Sequence, residues 1–190
     1  MAEGLYEVRW HARGGQGAVT ASRFLSASAS RENKHFQGFP EFGTERMGAP
    51  IQAFTRLSDG KIFTHEQVTA PDAVVVLDPT LLEVVDVTAG LQPGGPIIIN
   101  TTKAPAEIKS ELKDGNYKVY TVDADTIARE EVGRVITNTA MVGALVKVTK
   151  LVNFDNVKAE LVGMFGTKFK KSVVEGNVRA LERAYEEVKG

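Results

Sequence analysis

The stretch RWHARGGQGAVTAS, residues 9–22, runs from an alternating apolar segment through three closely spaced glycines into small, helix-forming residues. A strand, a glycine turn and a helix in that order make a device for holding anions. Glycines let the main chain approach phosphate oxygens, and the first turn of the helix aims unpaired N–H groups and a partial positive charge at them. A hydrogen bond to a charged group contributes roughly 1.5–3 kcal/mol, against roughly 0.3–1 kcal/mol from the helix dipole. About three such contacts anchor a diphosphate without a neighbouring lysine. The candidate binding residues are Arg13, Gly14, Gly15, Gln16 and Gly17, with Arg13, Arg9 or Arg23 as sources of positive charge. The Gln16 amide can bond a carbonyl or ribose hydroxyl of a ligand, or it can brace the turn.

Spacing alone does not decide what the loop does. Gly15-Gln16-Gly17-Ala18-Val19-Thr20 lacks the third glycine of a dinucleotide fingerprint, and no lysine followed by serine or threonine completes a P-loop. A tight strand-to-helix turn with no ligand fits the same residues.

A second group stands in HFQGFPEFGTERMGAP, residues 35–50, whose glycines and prolines prevent one regular element. Phe36, Phe39 and Phe42 fall beside Glu41, Glu45 and Arg46. A long irregular loop in a compact domain is usually functional or covered by something. The aromatics either plug the edge of the core, with Glu41 or Glu45 pairing Arg46, or they form a subunit interface. Aromatic residues and arginine are enriched at interface cores, which favours an interface built on Phe39, Glu41, Phe42, Glu45 and Arg46. His11 is expected to be a hydrogen-bonded structural histidine rather than a proton-transfer residue. Asn138 and Thr139 are expected to cap a helix, with a cofactor contact as the second reading.

Composition narrows the chemistry. The 190 residues contain no cysteine, which rules out disulfides, catalytic thiols, zinc–thiolate sites and iron–sulfur clusters held by this chain. His11, His35 and His65 are not at metal-ligand spacing, so no metal site is expected. A net charge of -1 provides no basic field for nucleic acid or an anionic membrane. The N-terminus shows no secretory signal, and the runs AVVVL and PIII are too short to span a bilayer. A soluble cytoplasmic protein is expected.

The elements that must position the loop can be read from periodicity. Residues 5–11 and 51–57 read as strands, with 61–64 expected to pair beside them. The runs DAVVVLD and PIIIN suit parallel strands covered on both faces, separated by a helix over 79–87. Helices are expected over 18–31 and 106–112, and a strand over 117–123. TNTAMVGALVKVTKL reads as a buried helix with cap candidates at Thr137 to Thr139. A long amphipathic helix over 168–189 carries Phe169, Val173, Val174, Val178, Leu181, Tyr185 and Val188 on its core stripe. The result is one α/β domain over residues 1–190, a mostly parallel, Rossmann-like sheet flanked by helices with a long C-terminal helix.

RWHARGGQGAVTAS, FQGFPEFGTERMGAP and ITNTAMVGALVKVT, in that order, resemble the gamma subunit of the 2-oxoacid:ferredoxin oxidoreductases. That group includes pyruvate, 2-oxoisovalerate and 2-oxoglutarate enzymes, and the resemblance covers residues 6–189. It implies a complex that cleaves a 2-oxoacid with thiamine diphosphate, transfers the acyl group to coenzyme A and passes electrons through iron–sulfur clusters to ferredoxin. It also implies alpha, beta and delta-type partner subunits that hold the thiamine diphosphate, its magnesium and the clusters. The lack of cysteine and of a thiamine-binding GDG motif agrees; KDGNY at 113–117 is only an echo of one. The chain is then inactive alone, contributes no catalytic residue, helps close the active site and holds coenzyme A at residues 13–17. A self-sufficient NAD- or flavin-dependent reductase and a sensor of phosphorylated metabolites are the competing readings.

Overall fold

The computed structural model describes residues 4–41, 47–112 and 116–190. In chain order the elements are β1 (Tyr6–Arg13), α1 (Ala18–Ala29), β2 (His35–Pro40), β3 (Pro50–Ser58), β4 (Ala73–Val76), β5 (Pro96–Asn100), α2 (Pro105–Glu111), β6 (Lys118–Val122), α3 (Ala124–Val132), α4 (Asn138–Thr149), α5 (Phe154–Gly166) and α6 (Lys171–Glu187). The six strands form one sheet in the order β2-β3-β1-β4-β5-β6. The pairs β1/β4, β4/β5 and β5/β6 are parallel, while β3 is antiparallel to both β1 and β2. Among the described residues only β3 therefore runs against the rest, and the sheet is the mostly parallel one expected.

The apolar runs of β4 and β5 have both faces covered. On one side Trp10, Phe24, Leu25, Ile98, Leu145 and Leu181 join a core built with α1, α4 and α6. On the other, Val74, Val76, Ile97 and Ile99 pack with Leu81 and Ile108. Burying such aliphatic side chains contributes about 1.5–3 kcal/mol each, which makes these central strands the rigid base of whatever lies at their ends. The Trp10 indole N–H, fully buried, donates to Thr55 Oγ1 at 3.1 Å. Among the described residues no helix is long and apolar enough to cross a membrane.

Several expectations are corrected. Residues 35–40 are not irregular but form edge strand β2, paired with β3 from His35↔Ser58 to Pro40↔Ala53. Proline is tolerated there because an edge strand has one unpaired side. Residues 61–64 form no strand; the following chain crosses the sheet face, where Arg56 donates to the carbonyls of Thr64 at 3.5 Å and Glu66 at 2.6 Å. The helix over 79–87 shrinks to a single 3₁₀ turn, Pro79–Glu83. Beyond it Asp86 Oδ1 accepts from Thr88 N and Oγ1, an Asx turn that diverts the chain. The last helix begins at Lys171, leaving Phe169 outside it and 51% exposed, while Asn177, Ala180 and Ala184 share the buried face with Val174 and Leu181. Helix α5 was not resolved as an element by periodicity.

Candidate functional site

The glycine loop leaves the carboxyl end of β1 beside the carboxyl end of β4, the position at which ligands meet open α/β sheets. Gly14 N donates to Ala49 O at 2.9 Å and Gly48 N to Gly14 O at 3.1 Å, which extends the β1/β3 pairing to the loop. Gly15 has φ 97° and Gly17 φ 84°, a left-handed backbone that a side chain would strain. Gly17 is also the N-cap of α1, and no side chain caps that helix.

Gln16 decides between its two readings in favour of the brace. Its Oε1 accepts from Arg13 N at 2.7 Å and its Nε2 donates to Asp78 Oδ2 at 2.7 Å, so both ends of the amide are used inside the loop. Arg13 is occupied as well. Its guanidinium lies 3.3 Å from Asp78 Oδ2, donates to Thr80 Oγ1 at 2.8 and 3.2 Å, and reaches Gly48 O at 3.2 Å. Burial pushes the Asp78 carboxyl up, but hydrogen bonds from Thr80 and Gln16 and the Arg13 charge outweigh it and hold Asp78 below the usual carboxylate range. Asp78, which sequence reasoning missed, is therefore the anionic post on which the loop is shaped.

Two donors of the loop remain. Among the described residues the N–H groups of Gly15 and Gly17 have no partner, and the first N–H groups of α1 have none within the helix. Gly15 and Gly17 line a cleft of about 850 Å³ together with Arg134, Asn138, Lys168, Phe169 and Lys170. The three cations come from the connections after α3 and after α5, far along the chain, and no local pattern marks them. Met47, 89% exposed, stands beside Gly15, with its Sδ 3.0 Å from where a Gly15 methyl would be.

The other candidates lie elsewhere. His11 is 2% exposed, and its Nε2 accepts from Arg9 Nε at 3.0 Å. Burial first, then the Arg9 charge, depresses its pKa to about 3 against an opposing pull from Asp86. A neutral imidazole sealed in this way is a structural acceptor. Arg9 in turn donates to Val87 O at 3.1 Å and Ala89 O at 2.5 Å, so its guanidinium is engaged at those carbonyls. Phe39 stacks on Phe54 at 5.3 Å and lies under Arg56 at 5.1 Å, and Glu41 Oε1 accepts from Gln67 Nε2 at 3.2 Å. Phe42, Glu45 and Arg46 lie outside the described residues. Thr137 holds the N-cap of α4 without a side-chain bond; instead Asn138 Oδ1 accepts from Thr139 N at 2.8 Å. No cluster of three His, Asp or Glu suited to a metal occurs among the described residues.

An α/β sheet with a glycine-cornered loop facing a cationic cleft defines a Rossmann-like subunit with a candidate anion site. A family model described as pyruvate ferredoxin/flavodoxin oxidoreductase matches residues 7–187. Over 181 residues the chain is 47% identical to the pyruvate/ketoisovalerate oxidoreductases common subunit gamma of Thermococcus kodakarensis, covering 95% of this chain and 96% of that one. The crystal structure of pyruvate oxidoreductase subunit PORC from Thermotoga maritima matches with a TM-score of 0.87 and 41% identity, over 98% of each chain. The 2-oxoglutarate:ferredoxin oxidoreductase from Magnetococcus marinus, solved with 2-oxoglutarate, coenzyme A and succinyl-CoA bound, shares the fold. There the TM-score is 0.77 and the identity 19%, over 97% of this chain and 31% of that one. The chain belongs to the pyruvate ferredoxin/flavodoxin oxidoreductase family, as a gamma-type subunit of a multi-subunit oxoacid ferredoxin oxidoreductase. That membership displaces the self-sufficient reductase and the metabolite sensor.

Proposed function

We propose that this subunit holds coenzyme A and helps close the active site of a thiamine-diphosphate-dependent complex that converts a 2-oxoacid to acyl-CoA and carbon dioxide. The two electrons leave through iron–sulfur clusters to ferredoxin. Alpha, beta and delta-type subunits supply the thiamine diphosphate, magnesium and clusters in a cytoplasmic assembly, and this chain alone is inactive. One observation carries the reading: Gly15 and Gly17, whose amides have no partner among the described residues, line a cleft large enough for a nucleotide-sized ligand. Coenzyme A is a diphosphate and a 3′-phosphate joined to a flexible, largely uncharged arm. The same cleft offers donors, the cations Arg134, Lys168 and Lys170, and the apolar surface of Phe169 and Val173. The coenzyme A bound in the Magnetococcus marinus relative, which shares this fold, supports the assignment.

Within the loop, Gly15 and Gly17 face the ligand, Gly14 extends the sheet to them, and Arg13 and Gln16 hold the shape. Residues 39–46, with Phe39, Glu41, Phe42, Glu45 and Arg46, belong to the face that meets a partner subunit. Exposed Met47 at the end of that stretch supports an interface there.

In the reconstituted complex, Gly15→Asp places a carboxylate where phosphate is held, and Gly15→Asn reproduces the backbone strain without the charge. The charged variant raises KM for coenzyme A well above the neutral one, while 2-oxoacid decarboxylation survives in both. Equal coenzyme A dependence in folded Gly15→Asp and wild type would remove the loop from the site.

A further inference from the structure

We infer that the open edge of β2 takes up an extended segment of another subunit of the same complex as an added strand. The inference stands apart from the coenzyme A assignment and extends the face proposed at residues 39–46.

β2 is the last strand on its side of the sheet, and the bonding phase fixes which of its main-chain groups are spare. Glu41 N donates to Gln52 O at 2.9 Å, and the register continues through Phe39↔Phe54, Gln37↔Arg56 and His35↔Ser58. Alternate pairs of an antiparallel ladder exchange both bonds, so those residues bond toward β3 and the ones between them face away. Phe36 and Gly38 thus each offer an N–H and a carbonyl at the edge, and Pro40 offers a carbonyl. Among the described residues no group outside the ladder accepts from the Phe36 or Gly38 N–H.

The two edges of the sheet are treated differently. β6 begins with Lys118, and Thr121 N and O are both bonded to Lys189 at 2.9 Å, so a later segment of the chain covers that edge there. β2, HFQGFP, has no Asp, Glu, Lys or Arg, in a chain of which 25% of residues are of those types. Proteins normally guard a free edge with lysine, a cover or a bulge, because an unguarded one pairs with other chains. The surroundings are apolar as well. Phe36 is 44% exposed, and Phe63, 83% exposed, adjoins Thr64, whose carbonyl accepts from Arg56 Nη1 at 3.5 Å. The same Nη1 donates to Gln37 Oε1 at 3.4 Å, which brings the stretch carrying Phe63 beside the strand.

The geometry selects the occupant. Outward amides and carbonyls in strand geometry are matched by another extended main chain, with side-chain contacts adding specificity. A second copy of β2 fits poorly. Antiparallel pairing about Gly38 sets each Pro40, which has no N–H, against the Phe36 carbonyl of the other copy. A proline-free, uncharged segment keeps those bonds, and a gamma-type subunit has the other subunits of its complex to supply one.

Phe36→Pro is the test. Proline at an outward position removes an N–H that the isolated chain leaves unused, and Pro40 already occupies such a position, so the fold is retained. Gly38 is unsuitable, because a methyl group there would lie 2.8 Å from Arg23 Cα. The dissociation constant of the reconstituted complex should rise at least about tenfold for Phe36→Pro and less for Phe36→Ala, with the melting temperature of the isolated chain unchanged. Amide exchange of the wild type gives a reading that needs no variant. Phe36 and Gly38 should exchange freely in the isolated chain and slow at least about tenfold in the complex. Equal exchange of both amides in the two states, or equal assembly by folded Phe36→Pro and wild type, overturns the inference. So does a wild-type chain that dimerises alone and becomes monomeric as Phe36→Pro, which gives the edge to a second copy. If Glu41→Ala weakens assembly while both amides stay open, the neighbouring face stands and strand addition falls.

Discussion

Replacing His11 with glutamine tests the physics beneath the loop. In the folded chain the His11 pKa lies near 3, against 6.5 for an ordinary histidine, because burial and then the Arg9 charge disfavour the imidazolium. The depressed value means that between those limits the unfolded chain takes up a proton that the native one refuses. Stability from this group is complete above about pH 6.5 and is lost as pH falls toward about 3. The limiting slope is about 1.4 kcal/mol per pH unit, so a shift from about pH 7 to about pH 5 removes about 2 kcal/mol. His11→Gln keeps an oxygen to accept from Arg9 Nε and does not titrate. Urea unfolding of both proteins across this range isolates the histidine, because the carboxylates are common to the two. The wild-type curve should fall faster with acid, narrowing its advantage over the variant by about 2 kcal/mol at about pH 5. Parallel curves would show that His11 is protonated in the fold or is reached by solvent, and would refute the reasoning.

Two other perturbations read the scaffold. A methyl group on Gly143 would overlap the Leu181 carbonyl oxygen, so Gly143→Ala must spread α4 from α6 and should cost roughly 1–3 kcal/mol in thermal unfolding. At Gly166, where no neighbouring atom lies within 4 Å, the same change should be neutral or slightly stabilising. Arg56, buried and paired with Glu7 at 2.6 Å, also holds the carbonyls of Thr64 and Glu66. Arg56→Met should cost roughly 3 kcal/mol and raise amide exchange and proteolysis around residues 61–67 above the rest of the chain.

What sequence disclosed was local. The alternation through Trp10, the unbroken runs of β4 and β5 and the glycine corner all announce themselves within a few residues, and the sheet follows from them. Strand β2 was hidden because Gly38 and Pro40 read as turn residues, whereas an edge strand with one free side accommodates them. The 3₁₀ turn after β4 looked helical by spacing, but Asp78 and Asp86 use their carboxylates to bend the main chain at either end. The roles of Arg13 and Gln16 were out of reach for a different reason. They depend on Asp78, over sixty residues away, so the choice between ligand contact and brace is made by tertiary pairing. The same distance concealed Arg134, Lys168 and Lys170, while Asn138 was noticed as a cap because its oxygen does what caps do.

The Arg13–Asp78 pairing has an electrical consequence. On the proposed assignment, a loop whose guanidinium is already neutralised would meet its guest with dipoles alone, and dipoles at contact distance feel little of the surrounding ions. Arg134, Lys168 and Lys170, without an ion pair among the described residues, carry charges whose reach shrinks to about 10 Å in 0.1 M salt. On that assignment capture and retention would fall to separate parts of one cleft: saltier solution should slow arrival of coenzyme A, while the grip of the main chain should be left nearly as it was.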